Sequence, residues 1–364
     1  MALSRCARQV IAGSRSSLAQ VRDKPAPVRD AGAVHYLPGG AMILALLAVA
    51  GCAGSSPGRL SREPARSTAE TSATASRTTT PAAVNVPHTS AAVNVPRTSA
   101  SPSTGARCGQ AHAAGTAALA LPGGRRALLA VPDGDNGHRR LGLVVALPGY
   151  GRTSEEMASQ SRIPARAMAT GVLAVLPEGA GPDRSWNFSG TTGHDDLAFL
   201  SALVKQLVTT GCADPARVVI TGISDGGDMA GFAACALPGR FRAVVTVAAS
   251  FLPRAGCRPT RIVAVHGDAD PVDPYAGGPD GRPGYPAIPP AASAIAAWAE
   301  LGGCRTPTTR RRAAHIETTT YPCGAELVTV EGGGHTWPGG APVNPDLGQT
   351  TREYDVTATV LGLI

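Results

Sequence analysis

The sequence has no apolar run long enough to cross a membrane as a helix. Its main apolar stretch, residues 41–51, has about half of the ~20 residues that a spanning helix needs. A stretch of that length is typical of the core of a secretory signal peptide. We therefore interpret residues 1–51 as a leader and expect an exported protein.

The end of this leader resembles the bacterial lipobox. Residues 49–52 read VAGC, and in a lipobox the cysteine is lipid-modified and becomes the first residue of the mature protein. Cys52 would then attach the protein to the cell surface. An ordinary secretory signal, cleaved after a small residue, is the alternative. About forty residues precede the apolar core, more than a normal signal peptide has, so translation starting further downstream also stays open.

Net charge is missing from most of the chain. The formal charge of +7 is carried by the residues before Gly105, and the rest of the sequence is neutral. Nucleic-acid binding needs a clustered basic face, so a nucleic-acid partner is not expected.

Residues 52–104 lack the apolar side chains that a core requires. This segment is rich in Ser, Thr, Ala and Pro, and its residues 82–90 are nearly repeated in residues 91–99. Such composition cannot offset the entropy cost of ordering. We predict a disordered tether, with no additional module for binding a polymer or a carbohydrate.

Six of the eight cysteines lie beyond the leader and the tether. An exported protein can form disulfides, and an even number of cysteines is consistent with them. We predict a bridge between Cys304 and Cys323, ahead of the last predicted strand. A bridge between Cys235 and Cys257 is a weaker possibility, and free buried thiols are the alternative for the other cysteines.

The region 105–364 alternates apolar strand-like runs with helix-like segments. The runs show no polar alternation, so both faces of each strand should be covered, as in a parallel sheet. Strands that alternate with helices indicate βαβ crossovers. We predict one catalytic domain of the α/β class, with a doubly wound, mostly parallel sheet and helices on both faces. The predicted strands are 127–131, 143–147, 172–176, 218–221, 243–248, 262–265 and 327–330, and the predicted helices are 154–170, 195–209, 228–237 and 291–301.

A nucleophile motif joins one of these strands to a helix. Residues 222–227 read GISDGG, which places Ser224 in the GxSxG pattern at a tight turn between strand and helix. A second match, at residues 54–58, lies in the tether, where no strand precedes it and Pro57 obstructs a helix. Only Ser224 has the structural context of a nucleophile.

An acid and a histidine follow two later strands. Asp268, Asp270 and Asp273 come after the sixth predicted strand, and His335 follows the seventh in a glycine-rich loop. Serine, then aspartate, then histidine is the chain order of α/β-hydrolase triads. The imidazole accepts the serine proton, and the carboxylate orients and stabilises the imidazole. The other histidines, His266 among them, are not expected to take part.

The same acidic loop has a competing interpretation, because aspartate-rich turns can bind calcium. The loop lacks the glycine and the distal glutamate of an EF-hand, so we expect no metal and no other cofactor. An oxyanion hole needs one amide after the nucleophile and another from an early strand-to-helix loop. Asp225 and Tyr150 would supply these amides.

Several motifs together resemble the family of secreted polyhydroxybutyrate depolymerase and feruloyl esterase-like α/β-hydrolases. The resemblance covers most of residues 125–340 and implies an α/β-hydrolase fold and ester hydrolysis. It implies that Asp270 is the triad acid and that Trp186 and Trp337 line the substrate pocket. Pro148 stands where the family usually has histidine. The motifs are LPGYG (147–151), SWN (185–187), DDLAFL (195–200), DPARV (214–218), the GISDGG turn, HGDAD (266–270) and GHTWPG (334–339).

We therefore expect a monomeric extracellular serine esterase, bound to the membrane only through a lipid anchor. Its substrates would be small or oligomeric esters: polyhydroxyalkanoate oligomers, or feruloyl or acetyl esters, free or attached to a polysaccharide. The alternatives are a binding lipoprotein on a hydrolase scaffold and a peptidase or acyltransferase with the same triad.

Overall fold

The computed structural model describes residues 108–364, so the leader, Cys52 and the tether lie outside the described residues. In this part of the chain, strands and helices alternate as the sequence predicts. The strands are β1 (Gly115–Ala120), β2 (Arg126–Val131), β3 (Leu141–Leu147), β4 (Leu173–Pro177), β5 (Ala213–Ile223), β6 (Ala243–Val247), β7 (Arg261–Gly267), β8 (Thr308–Ala313), β9 (Ile316–Thr320) and β10 (Ala325–Val330). The α-helices are α1 (Ser154–Ser161), α2 (Ile163–Ala169), α3 (Asp196–Thr210), α4 (Asp225–Ala236), α5 (Ala291–Leu301) and α6 (Val356–Gly362).

The strands form one sheet in the order β1-β2-β4-β3-β5-β6-β7-β10-β9-β8. The strands from β4 to β10 in this order are parallel to one another, and antiparallel strands extend the sheet at both ends. All seven residues of β3 are buried, as expected for a parallel strand that is covered on both faces. The mostly parallel sheet predicted from the sequence is confirmed.

Helices cover both faces of this sheet and bury two separate apolar clusters. One cluster contains side chains of α3, α4 and α5, such as Leu200, Met229 and Trp298. The other contains side chains of α1, α2 and α6, such as Met157 and Val360. The sheet is therefore doubly wound, and the carboxyl ends of its parallel strands remain open for a site. No helix within residues 108–364 has the length and apolarity to cross a membrane.

The predicted helix 154–170 is two helices. Arg162 adopts a left-handed conformation with φ of 58°, which ends α1, and Pro164 lies in the first turn of α2. Proline is well tolerated there because the first helical amides have no intrahelical acceptor. The periodic pattern alone did not reveal the break.

Disulfides join Cys108 to Cys212 and Cys235 to Cys257. The second bridge confirms the weaker of the two sequence expectations. The predicted bridge between Cys304 and Cys323 is wrong, because both thiols are free. The Cys323 thiol instead donates a hydrogen bond to the Ala299 carbonyl, and a hydrogen bond between the two side chains raises the pKa of the Cys304 thiol.

Candidate active site

Ser224 stands on a strained turn between β5 and α4. Its φ of 55° and ψ of −130° lie in a region that residues other than glycine rarely adopt. Holding such a conformation costs about 1–3 kcal/mol, so the surrounding structure must enforce it. The Ser224 amide donates to the carbonyl of Val247 on β6, and the Ser224 carbonyl accepts from the amides of Gly227 and Asp228. These bonds fix the turn from both sides.

The glycines of the motif are required by close backbone packing at this turn. A Cβ atom on Gly222 would lie 2.2 Å from the carbonyl oxygen of Gly226, and one on Gly226 would lie 2.3 Å from that of Leu147. No side chain fits at such distances. The sequence pattern therefore has its expected physical meaning, and the turn has the geometry of a nucleophile elbow.

His335 lies in the loop that follows β10. The loop is anchored to a distant segment, because the Gly334 amide donates to the Gln349 carbonyl at 3.0 Å and the His335 amide donates to the Leu347 carbonyl at 2.6 Å. The imidazole is 8% exposed. Its position therefore depends on residues 344–349 as well as on the sheet.

Asp270 holds this imidazole. The His335 Nδ1 atom lies 2.9 Å from Asp270 Oδ2 and 3.1 Å from Oδ1. The amides of Val272 and Asp273 each donate to Asp270 Oδ1 at 2.8 Å, and the carboxylate is fully buried. A carboxylate bound in this way fixes the ring so that Nε2 is free to accept a proton.

The other two aspartates of this loop, Asp268 and Asp273, make different contacts. Asp268 accepts a hydrogen bond from the Gly332 amide and so joins the acidic loop to the histidine loop. Burial raises the pKa of Asp273 to about 8, with the nearby Asp270 charge as a second cause. Asp270 is therefore the acid of the loop that contacts His335.

His266, which was not predicted to take part in the site, is a second histidine near Asp270. Its Nε2 atom lies 2.8 Å from the Asp273 carbonyl oxygen and 3.6 Å from Asp270 Oδ2. Burial lowers the pKa of His266. A neutral His266 whose Nε2 carries a proton can donate to the Asp273 carbonyl, which helps to fix the acidic loop.

Ser224 and His335 open into the same cavity, of about 490 Å³. Its walls are largely apolar, and polar side chains lie at one side. The apolar lining includes Met157, Ile223, Val272, Val343 and Leu347, and the polar lining includes Arg152, Glu156, Gln160 and Asn344. A concave, mostly apolar site with a few polar groups is what a small organic ligand requires.

Of the two candidate oxyanion donors, Tyr150 lines this cavity and Asp225 directly follows Ser224. Asp225 is the first residue of α4, so its amide has no acceptor within the helix. The loop that contains Tyr150 passes over the serine: a Cβ atom on Gly149 would lie 3.4 Å from Ser224 Cβ. The Gly151 amide donates to the Asp183 carbonyl, and the Arg152 amide donates to the Gly149 carbonyl, which holds this loop.

Trp186 and Trp337 do not line the pocket, so that sequence prediction is wrong. Both side chains are fully buried in the two apolar clusters. The Trp186 indole donates to the Pro148 carbonyl at 2.9 Å, and the Trp337 indole donates to Thr357 Oγ1 at 3.0 Å. Each indole finds a buried hydrogen-bond partner, so a large aromatic ring is stable in the core. Trp186 supports the oxyanion loop from behind.

Across residues 108–364, no group of three or more His, Cys, Asp or Glu side chains is arranged to hold a metal ion. Asp195 caps α3 by accepting a hydrogen bond from the Ala198 amide. Its neighbour Asp196 forms an ion pair with Arg125.

The doubly wound sheet, the serine on its elbow and the buried histidine that lines the same cavity define the class of this protein. It is a serine hydrolase with the α/β-hydrolase fold.

The chain is similar to several known proteins. Residues 164–255 match the prolyl oligopeptidase family. NocK, a protein of Nocardia uniformis subsp. tsuyamanensis that carries the name of an esterase, is 34% identical over 265 residues, which are 65% of this chain and 75% of NocK. Feruloyl esterase B of Piromyces equi is 26% identical over 229 residues, or 58% of this chain, and the chain spans only 42% of that enzyme. A solved acetyl xylan esterase from Aspergillus awamori is 18% identical, with a TM-score of 0.48 over 64% of this chain and 96% of that one.

The chain belongs to the esterase family of α/β-hydrolases that includes NocK. It is a hydrolase of carboxylic esters.

Proposed function

We propose that the protein is an exported serine esterase that works through an acyl-enzyme on Ser224, with Asp270 and His335 completing the triad. The observation that carries this proposal is the shared cavity, in which the strained serine and the aspartate-bound histidine both lie. Ser224, Asp270 and His335 follow the carboxyl ends of the parallel strands β5, β7 and β10, although they are far apart in the sequence.

The residues supply each step of the reaction. Ser224 Oγ attacks the ester carbonyl carbon while its proton passes to His335 Nε2, and the oxyanion accepts hydrogen bonds from the Tyr150 and Asp225 amides. The carbonyl re-forms, the alcohol leaves with the proton from His335, and the acyl group remains on Ser224. Water then attacks the acyl carbon as His335 takes its proton, and the acid is released as the proton returns to Ser224.

The cavity indicates the type of ester. Its apolar wall suits an acyl chain or an aromatic acyl group, and its polar side suits an alcohol portion that carries hydroxyl groups. Polyhydroxyalkanoate oligomers and feruloyl or acetyl esters have both parts. We propose these as the substrates to be screened.

Export and a lipid anchor belong to the same proposal. Two disulfides support an oxidising compartment, because stable disulfides are rare in reducing ones. The anchor at Cys52 rests on the lipobox motif. Incorporation of radiolabelled palmitate into the wild-type protein, and its loss in Cys52→Ala, would test it.

Peptidase activity is the second candidate, favoured by the match to the prolyl oligopeptidase family. That match ends at residue 255, before Asp270 and His335. It covers the elbow and its supporting helices, which esterases and peptidases of this fold share. Comparing p-nitrophenyl esters with p-nitroanilides of the same acyl group separates the two activities.

Ser224→Ala is the central test. It should lower kcat on p-nitrophenyl butyrate by about 10⁶-fold, to the background rate, and abolish labelling by a fluorophosphonate probe. Ser201→Ala, in α3 and outside the lining of the cavity, is the matched control and should leave both unchanged. Normal turnover by Ser224→Ala would disprove the proposed function.

A further inference from the structure

Arg282 contacts the residue that follows the nucleophile. Its guanidinium Nη1 donates to Asp225 Oδ1 at 2.7 Å. Its Nε and Nη2 atoms donate to the two carboxylate oxygens of Asp280, at 2.6 and 2.7 Å. The guanidinium therefore bridges a buried acid of α4 and an acid of its own loop. A planar fork with fixed donors suits such double pairing, and lysine cannot reproduce it.

The carboxylate of Asp225 lies in an unusual environment. Its side chain is fully buried, and its backbone amide is a candidate oxyanion donor. The Trp186 amide donates to Asp225 Oδ2 at 2.8 Å. Burial raises the pKa of this carboxyl, and the Arg282 hydrogen bond opposes that rise. An unpaired negative charge here would oppose the negative charge that develops on the oxyanion.

Arg282 also lies beside the other candidate donor. Its guanidinium carbon is 5.7 Å from the centroid of the Tyr150 ring and 3.7 Å from that of Tyr285. Tyr150 is 46% exposed, so few other groups restrain its side chain. The guanidinium thus stacks on Tyr285 and lies within cation–π range of Tyr150.

We propose that Arg282 is a positioning residue for the oxyanion hole: it pairs with Asp225 and packs beside Tyr150, and so keeps both amide donors in place and cancels the carboxylate charge next to them. This inference rests on the proposed function of Ser224. Arg282 acts through Asp225 and Tyr150 and does not itself touch the ester carbonyl.

Arg282→Met tests the proposal with p-nitrophenyl butyrate. We expect kcat to fall about 10- to 100-fold with a smaller change in KM, because the lost interaction acts mainly in the transition state. Fluorophosphonate labelling should slow in parallel. Arg166→Met is the matched control: Arg166 also pairs with a carboxylate, that of Asp355, and is 38% exposed against 30% for Arg282. It should keep the wild-type kcat.

The pH profile separates electrostatic positioning from a merely structural role. Without Arg282 the pKa of Asp225 rises further, so at low pH the carboxyl is neutral and at higher pH it ionises beside the oxyanion. Relative to the wild type, Arg282→Met should therefore lose kcat as pH rises through the range in which Asp225 ionises. The other ionisable groups that face Asp225 are Asp228, Asp280 and Tyr285, and they remain in every variant.

The double variant Asp225→Asn/Arg282→Met is decisive. It keeps an acceptor for the Trp186 amide but has no carboxylate, so the loss of kcat at high pH should disappear and kcat should recover at least fivefold over Arg282→Met. Arg282→Lys keeps the charge and should restore the wild-type pH profile with an intermediate kcat. Should Arg282→Met fail to fold in a thermal unfolding assay, Arg282→Gln replaces it in both the single and the double variant.

Two results would overturn the inference: a wild-type kcat in Arg282→Met, or a loss at high pH that persists in the double variant. Either result leaves the proposed function intact if the wild type is labelled at Ser224. Absence of labelling in the wild type would instead remove the proposed function itself.

Discussion

The nucleophile and the histidine reach the same edge of the sheet by different means. Ser224 is placed by its immediate neighbours, since the turn is enforced by glycines within two residues and by the helix that follows. His335 is placed by contacts with residues 344–349 and with Asp270, which lie far from it in the sequence. The elbow is therefore a local device, and the histidine loop is a tertiary one. The GxSxG motif therefore predicts the turn at Ser224 directly, whereas His335 was predicted mainly from its position after the last strand.

Among the groups that support Ser224 and His335, Asp270 should show the largest effect when it is changed. Asp270→Asn removes the charge that fixes the His335 ring and stabilises its protonated form. We expect kcat on p-nitrophenyl butyrate to fall about 10⁴-fold. Asp268→Asn is the matched control, because Asp268 binds the Gly332 amide and does not touch the imidazole. Equal losses in the two variants would show that the loop, and not the triad carboxylate, controls activity.

A substitution at the elbow should lower activity by disturbing the close backbone packing there. A Cβ atom on Gly226 would lie 2.3 Å from the Leu147 carbonyl oxygen and 2.4 Å from that of Pro148. In Gly226→Ala the elbow and the oxyanion loop must therefore separate, and we expect kcat to fall about 10²- to 10³-fold, as when an oxyanion donor is lost. Kinetics and thermal unfolding would measure the effect.

Gly362→Ala is the control for the elbow variant. Gly362 lies in α6, and a Cβ atom there meets no neighbour within 4 Å. It should keep full activity and become slightly more stable, because alanine is the better helix former by about 1 kcal/mol. A fully active Gly226→Ala would mean that the elbow tolerates movement and that its glycines are not required.

Substitution of the two buried tryptophans should have the smallest effects on activity. Trp186→Phe leaves the Pro148 carbonyl without its indole donor, and Trp337→Phe leaves Thr357 without one. Each should lower the free energy of unfolding by about 1–3 kcal/mol. Only Trp186→Phe should also lower kcat, by a few-fold, because Pro148 belongs to the oxyanion loop. Neither should alter the preference among acetyl, butyryl and octanoyl esters, and a changed preference would restore these rings to the pocket.

Much of the fold could be predicted because covered parallel strands are apolar throughout. All seven predicted strands are present, and β3 and β6 are entirely buried. Strands β1, β8 and β9 were missed: β8 and β9 carry few continuous apolar residues, and the apolar run of β1 consists mainly of alanine. Five of the six residues of β8 are exposed. Hydrophobic pattern detects burial, so it overlooks strands whose side chains face water.

The site was predicted less evenly. The serine follows from the motif and the turn, and the hydrogen bond between His335 and Asp270 is in place. Arg282 was not recognised, because its contact with Asp225 spans 57 residues and leaves no spacing in the sequence. His266 was not recognised although Asp270 and Asp273 lie within seven residues of it, because only the fold shows that its ring faces the acidic loop. Trp186 and Trp337 were wrongly predicted to line the pocket, because an aromatic residue in a motif can instead pack in the core. Cys304 and Cys323 are near each other, but nearness in a fold does not ensure a bond.

The last strand of the sheet bears on how copies of this protein meet. Strand β8 reads TTRRRA and borders open solvent beyond β9. Unpaired edges invite another chain to add a strand, and charged side chains are a common way to discourage it. Two copies that docked edge to edge here would place their arginine runs face to face, with the repulsion that follows. This charged edge is therefore expected to resist strand addition between copies of the protein.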